Sequence, residues 1–466
     1  MNSQNGLIKP ALPGGFQDFG PREMLARERM LRAIERIYRS FGFVPLQTSI
    51  GQRREVLTGG KPASMRMWDL RVDASRDTTD EAQRVTARFD LTVPLARYVA
   101  ENMGSIRFPF RRFESGDVFR GESPQKGRYC EFRQFDADIV GAPTGPADAE
   151  IMLCMTSVMR ALGIERFLIK VNDRKVLNGF AARVGFEPGS DQAAALLRVM
   201  DKVDKIGLDG VLAELAGKAA SDEGSFAFGP EQLEAVRGFM TLTDGLADNA
   251  QRLARLKGYF AEGGVGAEGV TELETIASLL SAGGMPSDRW TVDPSIARGL
   301  GYYTGPVFET VLLDAPKFGS VYSGGRFDDL VARFTGMSLP AVGASVGVDR
   351  LFAALQELKA VSATEPDVDA FIIRMDEALM PEYFALAAEL RANGLRAEIG
   401  MSHQDMSTKA QMATALDRRA PFILFLGGNE IAAGTVQVKD TATRRQTQVP
   451  RTALAQELLT RLDRTA

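Results

Sequence analysis

The residues best suited to chemistry lie in one segment that mixes arginines, acids and aromatic rings, residues 119–134, FRGESPQKGRYCEFRQ. Its Pro- and Gly-containing centre predicts a loop between an outgoing and a returning strand. Alternation along a strand places Phe132 and Gln134 on one face, and Arg120 could project onto the same face. A cation, an aromatic ring and an amide there could bind a nucleotide phosphate, its base and a polar substrate. On composition alone, a surface hairpin with ordinary charge pairs is the more common explanation.

A second candidate is the segment 88–98, RFDLTVPLARY, in which a carboxylate and a hydroxyl stand two residues apart. A strand would place Asp90 and Thr92 on one face, where together they could receive an ammonium group. The same residues could instead end a strand and cap a helix. Taken alone, the segment favours this second interpretation.

Two glycine-rich segments complete the set: residues 297–309, ARGLGYYTGPVFE, and residues 323–351, which begin SGGRFDDL and end PAVGASVGVDRL. Glycines in a strand let a ligand approach the backbone closely. The alternatives are a turn with locally satisfied tyrosines for the first segment and a simple loop for the second.

Together these segments resemble the motifs of histidyl-tRNA synthetases, a family of class IIa aminoacyl-tRNA synthetases. Residues 119–134 are similar to motif 2 in its histidyl form. Residues 297–309 and 323–330 are similar to two histidine-specific signatures, and residues 340–351 to motif 3. The resemblance covers nearly the whole chain except residues 173–290. It implies ATP-dependent ligation of L-histidine to tRNA(His) through a histidyl-adenylate.

The resemblance also implies roles for individual residues. Arg298 and Arg120 would be catalytic, because a fixed guanidinium can offset charge that develops at the ATP α-phosphate. The residues that would bind histidine are Asp90, Leu91, Thr92, Gln134, Asp138, Arg298, Tyr302 and Tyr303. Those that would bind ATP are Arg120, Glu122, Arg128, Phe132 and Arg350. Mg²⁺ would accompany ATP, with no tightly bound cofactor and no metal-binding residues.

The implied partners are tRNA(His), L-histidine, ATP and a second copy of the chain in a homodimer, with neither DNA nor a membrane. The main alternative is a non-catalytic regulatory subunit of ATP phosphoribosyltransferase built on the same fold. A sensor of uncharged tRNA is a third possibility. The regulators typically lack a C-terminal RNA-binding domain and lose catalytic arginines, whereas this sequence keeps Arg120, Arg128, Arg298 and Arg350.

The sequence departs from the family pattern at four places. Residues 47–49, QTS, stand where motif 1 usually has R-T-P, and Gly301 replaces the usual Asp. Cys130 stands where Arg is common, and Arg133 where an aromatic residue or His is common. Because the last two positions face the tRNA acceptor end in the family, we predict an altered discrimination of the acceptor base.

The elements that must position these residues are predicted from hydrophobic periodicity. We expect an α/β (α+β) fold, with the antiparallel sheet of a class II catalytic core, a helical insertion and a C-terminal α/β anticodon-binding domain. The predicted domains are residues 1–172 (first part of the core), 173–290 (insertion), 291–358 (second part of the core) and 368–466 (anticodon binding). Antiparallel strands are expected across residues 84–140.

Composition sets the remaining limits. The 466 residues are 45% apolar and 25% charged, as in ordinary globular proteins of a few domains. A formal net charge of −4 neither favours nor excludes RNA, since a local basic patch suffices. With Cys130 and Cys154 as its cysteines and His403 as its single histidine, the chain has no disulfide framework or multi-His metal site. No signal peptide or spanning segment is predicted, and we expect a cytoplasmic protein.

Overall fold

An eight-stranded, mostly antiparallel sheet lies at the centre of the computed structural model, which describes residues 10–60, 66–71, 84–121, 128–217, 227–297, 302–360, 366–401 and 407–463. In spatial order its strands are β1 (Val44–Pro45), β4 (Phe110–Phe119), β5 (Glu131–Val140), β10 (Ala341–Gly347), β9 (Ser320–Arg326), β8 (Pro306–Leu312), β6 (Phe167–Asp173) and β7 (Trp290–Val292). Only the two outermost pairs, β1 with β4 and β6 with β7, are parallel. The antiparallel sheet predicted for the core is confirmed.

Three helices cover one face of this sheet, while α3 (Thr92–Asn102) packs on only part of the other face. The three covering helices are α1 (Pro21–Ser40), α4 (Pro146–Ala161) and α12 (Val348–Glu357). In α1, Tyr38 is fully buried, and its ring meets the Phe135 ring edge-on at 5.0 Å. Its hydroxyl donates to the carbonyl oxygen of Phe135 at 3.1 Å. Because strand side chains alternate, Gln134 and Asp136 must point to the opposite face.

The stretch between residues 84 and 140 differs in part from the prediction. It contains β3 (Val85–Ala87), which pairs with β2 (Gly51–Arg53), but residues Thr92–Asn102 form helix α3. Val93, Ala96 and Val99 recur every three residues and are fully buried, so helical rather than strand periodicity decides the structure. Two short helices complete this part, α2 (Arg54–Thr58) and α11 (Ala332–Thr335).

The described residues between 174 and 282 are mostly helical, as expected for this part of the chain. The helices are α5 (Arg174–Arg183), α6 (Asp191–Met200), α7 (Val203–Ala216), α8 (Pro230–Met240), α9 (Asn249–Tyr259) and α10 (Val265–Ala282). Helices α5 and α10 cross at two glycines, where a Cβ on Gly179 would lie 2.6 Å from the Cα of Gly266. The two backbones can approach this closely only because both positions lack a side chain.

The chain divides into two units, residues 1–19 with 27–361 and residues 20–26 with 362–466. The second unit has a five-stranded sheet in the order β12 (Ala397–Ile399), β11 (Ala370–Ile373), β13 (Phe422–Phe425), β14 (Thr435–Asp440) and β15 (Gln446–Pro450). Its helices are α13 (Met380–Ala392), α14 (Thr408–Asp417), α15 (Gly428–Ala433) and α16 (Leu454–Arg461). This alternation is the predicted α/β pattern. Among the described residues, every helix is too short or too polar to cross a lipid bilayer.

Candidate active site

A cavity of about 350 Å³ lies over the open face of the central sheet. Five of the residues predicted to bind substrates line it: Arg120, Arg128, Phe132, Gln134 and Arg350. They come from the β4–β5 hairpin and from the first turn of α12, which is separated from that hairpin by about two hundred residues of sequence. The fold therefore brings three guanidinium groups, an aromatic ring and an amide to one concave surface.

The arginine end of the cavity is built by the end of β4 and the start of α12. The Arg120 guanidinium carbon lies 5.0 Å from the centre of the Phe132 ring, so the two share a face, as alternation predicts. Arg120 Nε donates to the carbonyl oxygen of Phe89 at 3.0 Å. Arg350 Nη1 donates to the carbonyl oxygen of Ser320 at 2.8 Å. Each anchor fixes the position of a cation that can attract an anionic ligand.

A buried carboxylate marks another part of this face. Asp90 Oδ1 accepts from the backbone N–H of Val93 at 3.1 Å, and Asp90 Oδ2 accepts from the hydroxyl of Tyr302 at 3.0 Å. The side chain thus holds the first turn of α3, and Thr92 bonds to the Tyr302 hydroxyl instead of lying beside Asp90 on a strand. Burial raises the pKa of Asp90, although the Val93 amide and the Arg120 charge oppose this.

Three polar side chains alternate along β5 on the open face: Gln134, Asp136 and Asp138. The neighbouring strand β10 presents Gly343 directly opposite Asp138. A Cβ at position 343 would lie 1.9 Å from Asp138 Oδ1, so only glycine leaves room for this carboxylate. Burial raises the pKa of Asp138 to about 6, against the opposing effect of the nearby Arg112 charge.

Arg112 is a structural cation that sequence reasoning missed. It is fully buried, its Nη2 lies 3.0 Å from Asp138 Oδ2, and the same nitrogen donates to the carbonyl oxygen of Leu91 at 3.0 Å. It therefore ties the predicted histidine-binding segment of α3 to β5. Arg112 and Asp138 are register partners on adjacent strands, and no local sequence pattern indicates this contact, because the register follows only once β4 and β5 are paired.

Tyr302 and Tyr303 lie beside the buried acids of the open sheet face. Their rings meet edge-on at 5.2 Å. Gly325 on β9 makes room for Tyr303, because a Cβ there would lie 2.9 Å from Tyr303 Cδ1. Burial together with the charges of Asp136 and Asp90 raises the pKa of Tyr303, so this phenol stays protonated. Protonated phenols beside carboxylates form a pocket that can both donate and accept hydrogen bonds.

Some predicted positions lie outside the described residues, namely Arg298, Gly301 and Glu122. In the segment 47–49, which departs from the family pattern at its first and last residues, Thr48 is buried and donates to Glu114 Oε1 at 2.9 Å. Arg133 makes a two-pronged ion pair with Asp117, at 2.8 and 2.9 Å. Cys130 is buried, although the sequence comparison had suggested a surface facing tRNA.

The antiparallel sheet, with arginines, an aromatic ring and acids on its open face, is that of a class II aminoacyl-tRNA synthetase. The chain belongs to the histidyl-tRNA synthetase family. The model of that family, "Histidyl-tRNA synthetase", matches residues 15–351, and a second model, "Anticodon binding domain", matches residues 369–461.

Individual proteins agree with this assignment. The "Histidine--tRNA ligase" of Paracoccus denitrificans (strain Pd 1222) is 42% identical over 452 residues, covering 93% of this chain and 90% of that protein. The one of Stenotrophomonas maltophilia (strain K279a) is 37% identical and covers 98% and 99%. The crystal structure of histidyl-tRNA synthetase from Nostoc sp. PCC 7120 matches with a TM-score of 0.80 at 30% identity, over 98% of this chain and all of that one.

Proposed function

We propose that this protein ligates L-histidine to tRNA(His), using ATP to form a histidyl-adenylate first. The supporting observation is one cavity with Arg120, Arg128 and Arg350 around it, on the same sheet face as the buried polar groups of β5 and Asp90. Fixed guanidinium groups suit a triphosphate, and buried acids with phenols suit an ammonium group and an imidazole ring.

We assign the residues as follows. Arg120 and Arg298 offset the charge that develops at the α-phosphate when the histidine carboxylate attacks it. Arg128 binds the outer phosphates, Glu122 belongs to the same nucleotide site, and Phe132 with Arg350 holds the adenine. On the amino-acid side, the residues are Asp90, Leu91, Thr92, Gln134, Asp138, Arg298, Tyr302 and Tyr303.

The acidic pocket supports discrimination against apolar amino acids. Asp90 and Asp138 are almost completely buried, and an apolar side chain would leave their polar atoms without the partners that imidazole provides. Sites built to hydrogen-bond a substrate reject analogues that lack the matching groups by factors of about 10⁴ or more.

The test is amino-acid-dependent exchange of pyrophosphate into ATP across the standard amino acids, followed by charging of tRNA(His). Exchange with histidine alone supports the proposal. Exchange that depends on another amino acid contradicts the proposal, and so does the absence of exchange with every amino acid. Absence of exchange would point instead to a non-catalytic regulatory subunit, the alternative raised by the sequence.

That alternative has less support. The structure from Bacillus halodurans C named as an ATP phosphoribosyltransferase regulatory subunit/histidyl-tRNA synthetase has a TM-score of 0.69 at 19% identity, a likeness of fold alone. The matched anticodon-binding domain at residues 369–461 favours a protein that works on tRNA.

Further parts of the proposal concern assembly and location. Mg²⁺ enters with ATP, and Glu309, which lines the cavity, offers the oxygen type that this ion prefers. We propose a homodimer in the cytoplasm. Residues 1–172 and 291–358 carry catalysis, residues 173–290 contact the acceptor arm, and residues 368–466 read the anticodon.

A further inference from the structure

A row of three hydrogen-bonded polar side chains crosses from β5 to β10 at the cavity, which Gln134 and Ser345 line. Asp136 and Ser345 are direct register partners on these two strands. The Ser345 hydroxyl is hydrogen-bonded to the Asp136 carboxyl group. The same hydroxyl oxygen lies 2.6 Å from Gln134 Nε2. Ser345 therefore stands between an acid and an amide and contacts both.

The hydroxyl of Ser345 has a single hydrogen, and this fixes which group donates in each of the two hydrogen bonds. In its ionised form Asp136 can only accept, so Ser345 then donates its hydrogen to Asp136. Toward Gln134 the serine oxygen then has lone pairs alone, and it must receive an N–H from the amide. The amide nitrogen of Gln134 is thereby held toward Ser345, and the amide oxygen is turned the other way.

The amide oxygen that results lacks a protein partner. Gln134 is more than nine-tenths buried, it lines the cavity, and its Oε1 has no hydrogen-bond partner among the described residues. A buried acceptor without a donor is unfavourable, so a bound molecule that brings an N–H gains by supplying one. Histidine offers such hydrogens on its ammonium group and on its imidazole ring.

We propose that Asp136 and Ser345 are positioning residues that hold the Gln134 amide with its oxygen toward the N–H of the bound amino acid. The pair acts through Gln134 and does not itself touch the reacting atoms. If both hydrogen bonds ran in the opposite direction, the Gln134 amide would present its N–H₂ to a substrate N–H, and two donors would face each other. This inference rests on the proposed activation of histidine.

The central experiment compares Ser345→Ala with Gln134→Ala and with the double variant, using histidine-dependent pyrophosphate exchange. Ser345→Ala should raise the KM for histidine about tenfold, the usual effect of losing one oriented hydrogen bond. It should change the KM for ATP and kcat by less than about twofold. In the Gln134→Ala background, Ser345→Ala should have almost no additional effect, because the amide on which it acts is gone.

Three further variants separate orientation from packing. Ser345→Thr keeps the hydroxyl and should retain a KM for histidine within about threefold of the unaltered protein. Asp136→Asn can donate to Ser345 and so permits the opposite direction of both hydrogen bonds, and it should raise that KM by about the same factor as Ser345→Ala. Ser115→Ala, on β4, is the control. Ser115 is exposed and, like its register partner Phe135, lies on the sheet face away from Gln134, so this variant should leave the KM for histidine unchanged.

The outcomes are distinguishable. Additive effects of Ser345→Ala and Gln134→Ala on the KM for histidine, or an equal rise in the KM for ATP, would overturn the orienting role. An unchanged KM in Asp136→Asn would overturn the part of Asp136. Failure of the unaltered protein to exchange pyrophosphate with histidine would overturn the proposed function itself, and with it this inference.

Discussion

Tyr302 donates its phenolic hydrogen to Asp90 Oδ2 at 3.0 Å, although 212 residues separate them in the sequence. The bond joins the start of α3, in the first half of the catalytic unit, to the segment before β8, in the second half. Asp90 is buried and Tyr302 is half-buried, and Asp90 also holds the first turn of α3 through Val93. One hydrogen bond thus connects the two segments predicted separately to bind histidine.

Tyr302→Phe tests this bond. Removing the hydroxyl leaves Asp90 with one donor fewer, so the carboxylate is less well fixed for an ammonium group. We expect the KM for histidine in pyrophosphate exchange to rise about tenfold, since hydrogen bonds to charged groups contribute about 1.5–3 kcal/mol. The KM for ATP should stay within about twofold. Tyr98→Phe, on α3, is the control, and an effect of equal size there would show that loss of any phenol in this region suffices.

Gly343→Ala tests the room that β10 leaves for Asp138. The added methyl carbon would lie 1.9 Å from Asp138 Oδ1, so the carboxylate must turn away or the strands must separate. We expect the efficiency of histidine activation, kcat/KM, to fall at least a hundredfold, because small displacements of a site have large effects on rate. Gly104→Ala, where the new carbon meets nothing within 4 Å, should be neutral. Normal kcat/KM in Gly343→Ala would contradict the tight packing of the pocket.

Arg326 lies in the second glycine-rich segment, and its contacts are structural. It is 1% exposed, its Nη2 lies 2.7 Å from Asp148 Oδ2, and its Nη1 lies 2.9 Å from Asp328 Oδ1. Asp148 itself is fully buried and also accepts from the backbone N–H of Gly145 at 2.7 Å. Arg326 therefore anchors the end of β9 to the start of α4.

Arg326→Met should lower the free energy of unfolding by about 3–5 kcal/mol, because it leaves the buried carboxylate of Asp148 without its cation. Urea unfolding followed by circular dichroism measures this. Arg32→Met is the matched control, since Arg32 pairs with Glu28 on the surface of α1 and such pairs contribute less than about 1 kcal/mol. A loss below that value in Arg326→Met would contradict the structural role.

Sequence patterns predicted the parts of this site that depend on local alternation. The hairpin around residues 119–134 was expected to place Arg120, Phe132 and Gln134 on one face, and the structure has this arrangement. The helix that begins at Thr92 agrees with the interpretation favoured for residues 88–98 taken alone, a strand end followed by a helix cap, since Asp90 Oδ1 accepts from the Val93 N–H at the start of α3. The broader expectation of strands across residues 84–140 missed α3, although its buried apolar residues recur every three residues.

Contacts between side chains on neighbouring strands could not be predicted from the sequence. Arg112 and Asp138 are joined by the register of β4 with β5, and Asp136 and Ser345 by the register of β5 with β10. Neither register is encoded in a single segment, because the pairing of two strands depends on the whole sheet. The polar network at the cavity therefore became visible only in the folded chain.

Asp136→Asn should make the protein more stable while weakening histidine binding. Burial and the negative charge of Asp138 raise the pKa of Asp136 well above its ordinary value. An acid whose pKa is raised on folding favours the folded state only while it is protonated, and this contribution is lost as the pH rises through the raised pKa. Asparagine carries no charge at any pH and avoids the loss.

We therefore expect Asp136→Asn to raise the free energy of unfolding at pH 8, with a smaller gain at pH 5, which lies closer to the ordinary pKa of a carboxyl group. Urea unfolding at the two pH values measures the difference. Asp244→Asn, at an exposed position, should show no such pH-dependent gain. A gain that is equal at both pH values would contradict the electrostatic cause. Retention of an acid that destabilises the fold at neutral pH is understandable if Asp136 orients Gln134, since binding sites commonly sacrifice stability for function.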